Sequence, residues 1–343
     1  GELEGSQYRY VANTILNAAF IQFDNQFSQK LRIVWGVRFE SFDQLVGSVK
    51  QSDPRHVHSR VNDWLPGLNL TYKLTDKTNL RLSGSQTVVR PEFRELSPFA
   101  FYDFELGATS IGNKNLQRTK IDNADLRYEI YPRAGELFTI GLFYKYFQKP
   151  IELYFNASGA GSSNTFNFAN ADNATGYGAE LELRKKLDFF GALKNFTVSG
   201  NFSYIFNKVQ GLNIDRPMQG QSPYLINLGL QYDLEKDGLS TTLLFNQIGR
   251  RILFVGNLQQ STGVGVPEIW ENPRALLDFQ IAKKVLRKKG EIRLNISDII
   301  NQHSYFYHDL DGNKKFVKDS KDAIAVDRVY GSNVSLTFGY TIK

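Results

Sequence analysis

The chain has 343 residues, with 41 Lys and Arg against 35 Asp and Glu, and so carries a formal net charge of +6. This excess is small and spread along the chain, whereas nucleic-acid-binding proteins concentrate basic residues on one face. We therefore expect no nucleic-acid partner. Cysteine is absent, which excludes a disulfide scaffold and any cysteine-based metal or nucleophile chemistry. No apolar run reaches the ~18–20 residues that a transmembrane helix needs.

Apolar and polar residues alternate along most of the chain with a period of two, the pattern of β-strands with one apolar face. Near the C-terminus Leu336 and Phe338 occupy one face and Ser335 the other, and upstream Leu228 alternates with Asn227. No segment of comparable length shows the 3.6-residue period of an amphipathic helix. The pattern predicts an all-β protein.

Taken in chain order, the alternating segments give thirteen predicted strands, several of them longer than the ~5–6 residues usual in globular sheets. They lie near residues 12–24, 30–44, 60–74, 78–92, 118–131, 136–155, 165–187, 195–209, 220–234, 239–255, 273–286, 291–306 and 326–342. A tilted transmembrane strand needs about 9–11 residues. The lengths therefore favour strands that cross an outer membrane.

Short and long connections alternate between these strands. The short turns lie near residues 25–29, 75–77, 132–135, 188–194, 235–238 and 287–290, and the long loops near 45–59, 93–117, 156–164, 210–219, 256–272 and 307–325. Bacterial outer-membrane barrels have short periplasmic turns and long external loops, whereas a soluble β-sandwich has no physical reason to sort its loops in this way. We expect an antiparallel transmembrane β-barrel, with residues 1–343 as a single domain.

In such a barrel the alternation also predicts the direction of each side chain. The residues expected to contact lipid are Leu228, Leu294, Leu336 and Phe338, and those expected to face the lumen are Asn227, Arg293 and Ser335. The other lumenal charges are Arg32, Arg81, Lys145, Glu180 and Glu182. A polar lumen of both charge signs suits hydrogen bonding to a second domain at least as well as an open channel.

Thirteen is an odd number of strands, whereas single-chain bacterial barrels have even numbers. An open sheet edge is unstable in lipid, because unsatisfied backbone groups cost several kcal/mol each there. We therefore expect this chain to be part of a larger barrel, or to have lost N-terminal strands, with the 22-stranded transporter barrel as the expected whole. The first and last strands would then pair with strands outside this chain.

Several motifs occur in a fixed order along the chain. They are Leu65-Pro66-Gly67-Leu68-Asn69-Leu70, the turn Thr75-Asp76-Lys77, Arg90-Pro91-Glu92-Phe93, Gly112-Asn113-Lys114-Asn115-Leu116 and the segment Arg293–Asn301. In this order they resemble the C-terminal part of the barrel of a TonB-dependent outer-membrane receptor. The resemblance implies an integral protein of the Gram-negative outer membrane, whose lumen is filled by an N-terminal plug domain that couples to the TonB protein. We expect the plug and the missing barrel strands to lie outside this sequence.

The function that the resemblance implies is energised import of a scarce ligand, of the siderophore, cobalamin, glycan or peptide class. Two alternatives stay open: a passive porin-like channel, and a soluble β-rich binding or surface-structural protein. We expect no enzymatic activity, catalytic residue or cofactor, because the sequence has no nucleophile elbow and no phosphate-binding glycine loop. The segment Asp309-Leu310-Asp311-Gly312-Asn313 begins like a calcium loop but lacks the closing Glu. It is interpreted as an Asp-Gly turn, and we expect no metal site.

The aromatic loop 93–117 is the main candidate for ligand binding, because rings with a few polar groups suit substrate capture. The alternative is that its rings belong to the girdle at the membrane interface. The candidate residues of the loop are Arg94, Phe99, Phe101, Tyr102, Asp103, Phe104 and Glu105, and further candidates at other strand ends are Trp270, Tyr305 and Tyr307. Arg94, Asp103 and Glu105 would orient a polar substrate among the rings.

Overall fold

The computed structural model describes residues 11–97, 99–104, 108–156, 165–210, 216–258, 265–318 and 321–342. The strands, in chain order, are β1 (Val11–Gln26), β2 (Leu31–Gly47), β3 (Val57–Thr75), β4 (Thr78–Val89), β5 (Ala100–Asp103), β6 (Ala108–Ile111), β7 (Thr119–Ile130), β8 (Leu137–Gln148), β9 (Ile151–Asn156), β10 (Thr165–Asn170), β11 (Asn173–Lys186), β12 (Phe196–Gln210), β13 (Tyr224–Leu234), β14 (Leu239–Ile248), β15 (Arg251–Phe254), β16 (Asn257–Leu258), β17 (Gly265–Val266), β18 (Ile269–Glu271), β19 (Ala275–Val285), β20 (Gly290–Ser297), β21 (Ser304–His308), β22 (Ala323–Arg328) and β23 (Asn333–Tyr340). The described helical segments are the short helix α1 (Phe93–Leu96) and one 3-10 turn (Gly191–Leu193).

One antiparallel sheet of thirteen strands dominates the molecule. Its order is β1-β2-β3-β4-β7-β8-β11-β12-β13-β14-β19-β20-β23. The strands of this sheet therefore lie side by side in the order in which they occur along the chain, and the strands missing from the series belong to other sheets. The longest strand, β3, has 19 residues. The predicted all-β class and the thirteen antiparallel strands are confirmed. Within the described part of the chain, no helix is long and apolar enough to cross a membrane.

The connections at the two ends of this sheet differ in length. The connections after β1, β3, β7, β11, β13 and β19 are tight and lie at one end, here called the turn end, because neighbouring strands are antiparallel. Two of these turns contain a glycine in the left-handed region, Gly135 at φ 81° and Gly238 at φ 61°, where a residue with a side chain is disfavoured. The longer connections all lie at the opposite end.

The two faces of the sheet separate as the alternation predicts. On one face Leu228, Leu336 and Phe338 are 52%, 74% and 59% exposed. On the other face Asn227 donates a hydrogen bond to Asn201 Oδ1 at 2.6 Å, and polar pairs continue across later strands. Leu294 lies opposite Leu336 in the β20–β23 register and so shares the apolar face, while Asn295 donates to Ser335 Oγ at 3.2 Å on the polar face.

The thirteen-stranded sheet is not closed. Its first and last strands, β1 and β23, are hydrogen-bonded to β2 and β20 respectively and not to each other. Both strands are exposed along their whole length. The edges therefore stay available for pairing, as the odd strand number predicts.

The long connections form a second structural layer at the end opposite the turn end. It consists of two four-stranded sheets, β5-β6-β10-β9 and β15-β18-β21-β22, which we call the cap together with the segments that join them. A parallel bridge links the two sheets, since the Phe155 N–H donates to the Val255 carbonyl at 2.7 Å and the Val255 N–H donates to the Leu153 carbonyl at 3.1 Å. The cap is therefore a folded unit and not a set of separate loops.

The cap has an apolar core of its own. Its buried residues come from six different strands and are Ala108, Phe155, Phe166, Phe254, Ile269 and Phe306. The rings of Phe166 and Phe254 lie 4.3 Å apart between centroids, and those of Phe155 and Phe166 lie 5.2 Å apart. Burial of large rings contributes the main stabilising free energy of such a cluster.

Some predicted strands are divided at the boundary between sheet and cap. The predicted strand 136–155 becomes β8 and β9, and 291–306 becomes β20 and β21. At the breaks Lys149, Asp298 and Asn301 have positive φ angles of 55°, 53° and 47°. These left-handed residues end the sheet pairing and redirect the chain into the cap, because a strand requires negative φ.

Candidate ligand-binding site in the cap

The aromatic segment between β4 and β6 begins with the one-turn helix α1. Glu92 and Glu95 form a reciprocal capping box at its start, which satisfies backbone donors that the helix itself leaves free. Arg94 on this turn lies with its guanidinium carbon 5.2 Å from the centroid of the Phe101 ring, and it donates to Ser110 Oγ at 3.2 Å. The helix thus holds a cation against one of the rings of β5.

Two rings of this segment point into solvent. Tyr102 is 53% exposed and Phe104 is 88% exposed, and their rings meet edge to face with centroids 5.0 Å apart. Phe99 is half-buried. Asp103 is the last residue of β5, and Glu105 lies outside the described residues. The Tyr102–Phe104 pair, called the exposed ring pair below, is therefore the part of the segment most open to a ligand.

The second cap sheet carries the other predicted candidates. Trp270 in β18 lies directly opposite Tyr307 in β21. The guanidinium carbon of Arg250 lies 3.7 Å from the centroid of Trp270 and 5.5 Å from that of Tyr307. Tyr307 has no exposed surface, so in this structure it supports its neighbours and offers no surface to a ligand. Tyr305 is half-buried and stacks on Phe316 at 4.7 Å.

A buried ion pair links the first cap sheet to the segment that leads into β13. Arg216 donates to both carboxylate oxygens of Glu152, at 2.9 and 2.5 Å, and the two side chains are only 9% and 2% exposed. Burial works to lower the pKa of Arg216, but the hydrogen bonds to Glu152 and Tyr154 and the negative charge of Glu152 together outweigh it and raise that pKa. Gln219 strengthens the link because it accepts from the Leu153 N–H at 2.7 Å and donates to the Leu253 carbonyl at 2.6 Å.

A basic cavity of about 440 Å³ lies beside the outer ends of β2 and β3. Its Lys and Arg lining residues among the described part of the chain are Arg90, Lys114, Arg118, Lys120 and Lys149, and His58 lies beside them. Behind this lining Asp63, whose side chain is 1% exposed, accepts from Arg90 at 2.9 Å and from Arg118 at 2.8 Å. Arg90 also pairs with Glu40 at 2.8 Å, so buried carboxylates fix these guanidinium groups in the wall of the cavity.

Comparison with known proteins identifies the family. The family model described as "Outer membrane protein beta-barrel family" matches residues 4–329. The chain belongs to this family. It is therefore an integral protein of the Gram-negative outer membrane, and the exposed apolar face of the thirteen-stranded sheet is its lipid face. No curated protein sequence matches the chain significantly.

Several solved structures share the fold. The siderophore receptor PirA of Acinetobacter baumannii aligns with a TM-score of 0.59 at 17% identity, over 84% of this chain and 42% of that protein. The iron transporter FrpB of Neisseria meningitidis gives 0.62 at 12% identity, over 97% and 46%. A variant of the ferric enterobactin receptor PfeA of Pseudomonas aeruginosa, in complex with enterobactin, gives 0.56 at 14% identity, over 96% and 54%.

These likenesses establish the fold of a receptor-type barrel, as the resemblance to TonB-dependent receptors implies. The chain spans about half the length of the structures that it matches. The soluble alternative is excluded by family membership.

The structure gathers the predicted site residues into two groups, one in each cap sheet. The first group joins Arg94 to Phe101 and Tyr102 to Phe104, and the second joins Trp270 to Tyr307. Sequence reasoning missed Arg250, Phe316, Glu152, Arg216 and Asp63 as residues that organise the cap and the cavity. No local pattern marks Glu152 and Arg216, because 64 positions separate them.

Proposed function

We propose that this chain is the barrel portion of a TonB-dependent receptor that captures a scarce ligand at the cap and imports it. The observation that carries the proposal is the folded cap, because it presents the exposed ring pair and a basic cavity at one end of the barrel.

The ligand class best supported is an anionic chelate of the siderophore type. Five Lys and Arg side chains and no acidic ones occur in the cavity lining among the described residues. The structures with the same fold are described as receptors or transporters for siderophores, iron and ferric enterobactin. Cobalamin, glycans and peptides are the alternative ligand classes that an uptake experiment has to distinguish from iron chelates.

The roles of the candidate residues follow from their exposure. Tyr102 and Phe104 are proposed to stack on the ligand, with Arg94, Phe99 and Phe101 as further contacts. Asp103 and Glu105, whose side chains lie outside the described part of the chain, stay candidates from the sequence. Trp270 and Tyr305 form a second contact surface, supported from behind by Tyr307. A plug domain and TonB are proposed partners, and the polar face of the sheet offers hydrogen-bonding groups to a plug. The proposal assigns transport and no catalysis to the chain.

The function is tested by uptake into cells that carry the full-length protein. Accumulation of ⁵⁵Fe-siderophores, ⁵⁷Co-cobalamin and labelled oligosaccharides is measured with and without TonB. We expect one class, the iron chelates, to accumulate only when TonB is present. Equal entry of small solutes with and without TonB would identify a passive channel and refute the proposal.

The site is tested by removing the exposed ring pair with Tyr102→Ala plus Phe104→Ala. Binding aromatics at such positions typically contribute about 2 kcal/mol or more, which corresponds to a loss of affinity of roughly 30-fold or more. The matched control is Phe189→Ala plus Phe190→Ala, an exposed pair at the turn end with centroids 4.3 Å apart. Unchanged affinity in a correctly folded cap variant would refute this site.

A further inference from the structure

Three carboxylates meet in the hairpin formed by β21 and β22. Asp309 and Asp311 follow β21, and Asp322 immediately precedes β22. The pairing of His308 with Ala323 brings both ends of the connecting segment together. One oxygen from each carboxylate lies within 4.8 Å of one from each of the others. The three acids converge although they are up to 13 positions apart.

Hydrogen-bond donors hold Asp309 in place through one of its carboxylate oxygens, and the other oxygen accepts no hydrogen bond from the described residues. Asp309 Oδ2 accepts from Arg250 at 2.6 Å and from the Lys314 N–H at 3.0 Å. Asp309 Oδ1 is buried and has no hydrogen-bond partner among the described residues. The Asp309 side chain is only 6% exposed, and a buried carboxylate oxygen without a partner is costly.

An independent observation comes from Tyr307. Its side chain has no exposed surface, and its hydroxyl has no hydrogen-bond partner in the described part of the chain. The ring centroid of Tyr307 lies 5.5 Å from the guanidinium carbon of Arg250, and Arg250 donates to Asp309 Oδ2. Tyr307 therefore lies beside the carboxylate cluster and adds a second buried polar group that has no partner among the described residues.

We propose that Asp309, Asp311 and Asp322 bind a calcium ion in this hairpin. All ligands offered are hard oxygens, which favour Ca²⁺ or Mg²⁺ over transition metals. Asp309, Asp311 and Asn313 occupy alternate positions like the first three ligands of a calcium loop, and Asp322 replaces the missing closing Glu. Asp309 Oδ1 ligates the ion directly, and a water of the ion donates a hydrogen bond to the Tyr307 hydroxyl oxygen.

The ion has a structural consequence for the cap. It closes the segment between β21 and β22, and through Asp309 it also fixes Arg250 against Trp270. Because one guanidinium group already offsets part of the negative charge, the site belongs to the weak class of extracellular calcium modules, with Kd of about 10⁻⁴–10⁻³ M. The inference does not depend on which ligand the barrel imports.

The test uses Ca²⁺ and Tb³⁺ with the purified full-length protein in detergent, freed of lipopolysaccharide. Excitation of Tyr and Trp sensitises Tb³⁺ luminescence, and Ca²⁺ is titrated as the competitor. We expect saturable luminescence and displacement by Ca²⁺ in the millimolar range or below. Asp311→Asn, at an exposed position, should weaken binding at least tenfold, and the control Asp237→Asn in an exposed turn at the turn end should leave it unchanged.

A second readout follows the hairpin itself. Trypsin cleavage after Lys314, Lys315 and Lys318 should be slowed by Ca²⁺ in the parent protein and not in Asp311→Asn. Absence of saturable binding in the parent protein would overturn the proposal. So would equal affinity in the parent protein and Asp311→Asn, because the ions would then bind elsewhere.

Discussion

Replacement of Glu152 by Gln is expected to loosen the cap while the barrel sheet assembles normally. Glu152 and Arg216 are 2% and 9% exposed and share two hydrogen bonds. Loss of one charge leaves the Arg216 guanidinium buried without its counter-ion. Breaking a buried pair in this way costs about 3–5 kcal/mol, which corresponds to a rise of roughly 150- to 5,000-fold in the population of the opened cap.

Hydrogen exchange measured by mass spectrometry reports that opening. The informative amides are those of Phe155 and Val255, since they form the bridge between the two cap sheets. Both should exchange faster in Glu152→Gln, while amides of β12 in the barrel sheet keep their rates. Heat-modifiable gel mobility, which reports the folded barrel, should also stay unchanged.

Two controls separate loss of the pair from loss of packing. Glu152→Met with Arg216→Met replaces both charges by apolar side chains of similar length, which is often neutral or stabilising at buried pairs, so exchange should return toward the parent rate. Asp188→Asn removes a partner of Arg133 at the exposed turn end and should not affect the cap. Unchanged exchange of Phe155 and Val255 in Glu152→Gln would refute the reasoning.

Three further outcomes are expected. Leu228→Arg should block assembly, because a charge on the lipid face at mid-membrane costs about 2–4 kcal/mol, whereas Asn227→Arg on the polar face should assemble; gel mobility of the two variants checks this. Phe166→Ala should cost about 3–5 kcal/mol in the cap core and raise protease sensitivity there without loss of the barrel. Hydrogen bonds from Arg133, and to a lesser extent from Lys185, lower the pKa of Glu136 to about 2. The stabilising contribution of the Glu136 carboxylate is therefore complete above its usual pKa near 4.5 and is lost as pH falls from there toward 2. Hydrogen exchange of the amides in the β7–β8 turn should rise over that window in the parent protein and not in Glu136→Gln.

The barrel sheet was predictable because one physical requirement acts on every one of its strands. Each strand must place apolar side chains toward lipid and polar ones toward the lumen, and so a period of two persists for its whole length. Leu228 beside Asn227, and Leu336 beside Ser335, show this requirement directly in the sequence. The odd strand number and the open edges follow from counting the same pattern.

The cap was not predictable from the same pattern, because its pairings join segments far apart in the chain. The parallel pairing of β6 with β10, in which Thr109 lies opposite Thr165, and the bridge of Tyr154 with Val255 have no local signal. The predicted single strand over 291–306 missed the break between β20 and β21, although the alternation stops at Ser297-Asp298-Ile299-Ile300, where Asp298 has a left-handed backbone. The acidic hairpin was visible only as the beginning of a calcium loop, since Asp322 reaches it through strand pairing.

The different interactions that stabilise the sheet and the cap predict that the cap can be destabilised without loss of barrel assembly. The sheet is stabilised by a continuous ladder of backbone hydrogen bonds and by lipid contact, whereas the cap relies on six buried apolar residues and a small number of ionic links. Positive-φ residues such as Lys149 and Asp298 interrupt the ladder between them, so strain in the cap is not transmitted along a paired strand. Substitution of Glu152 tests the ion pair that joins the first cap sheet to the segment leading into β13. Substitution of Asp311 tests the carboxylate cluster in the hairpin of β21 and β22. If the cap is a separate folding unit, each substitution must change exchange and proteolysis in the cap while the lipid-spanning strands keep their protection.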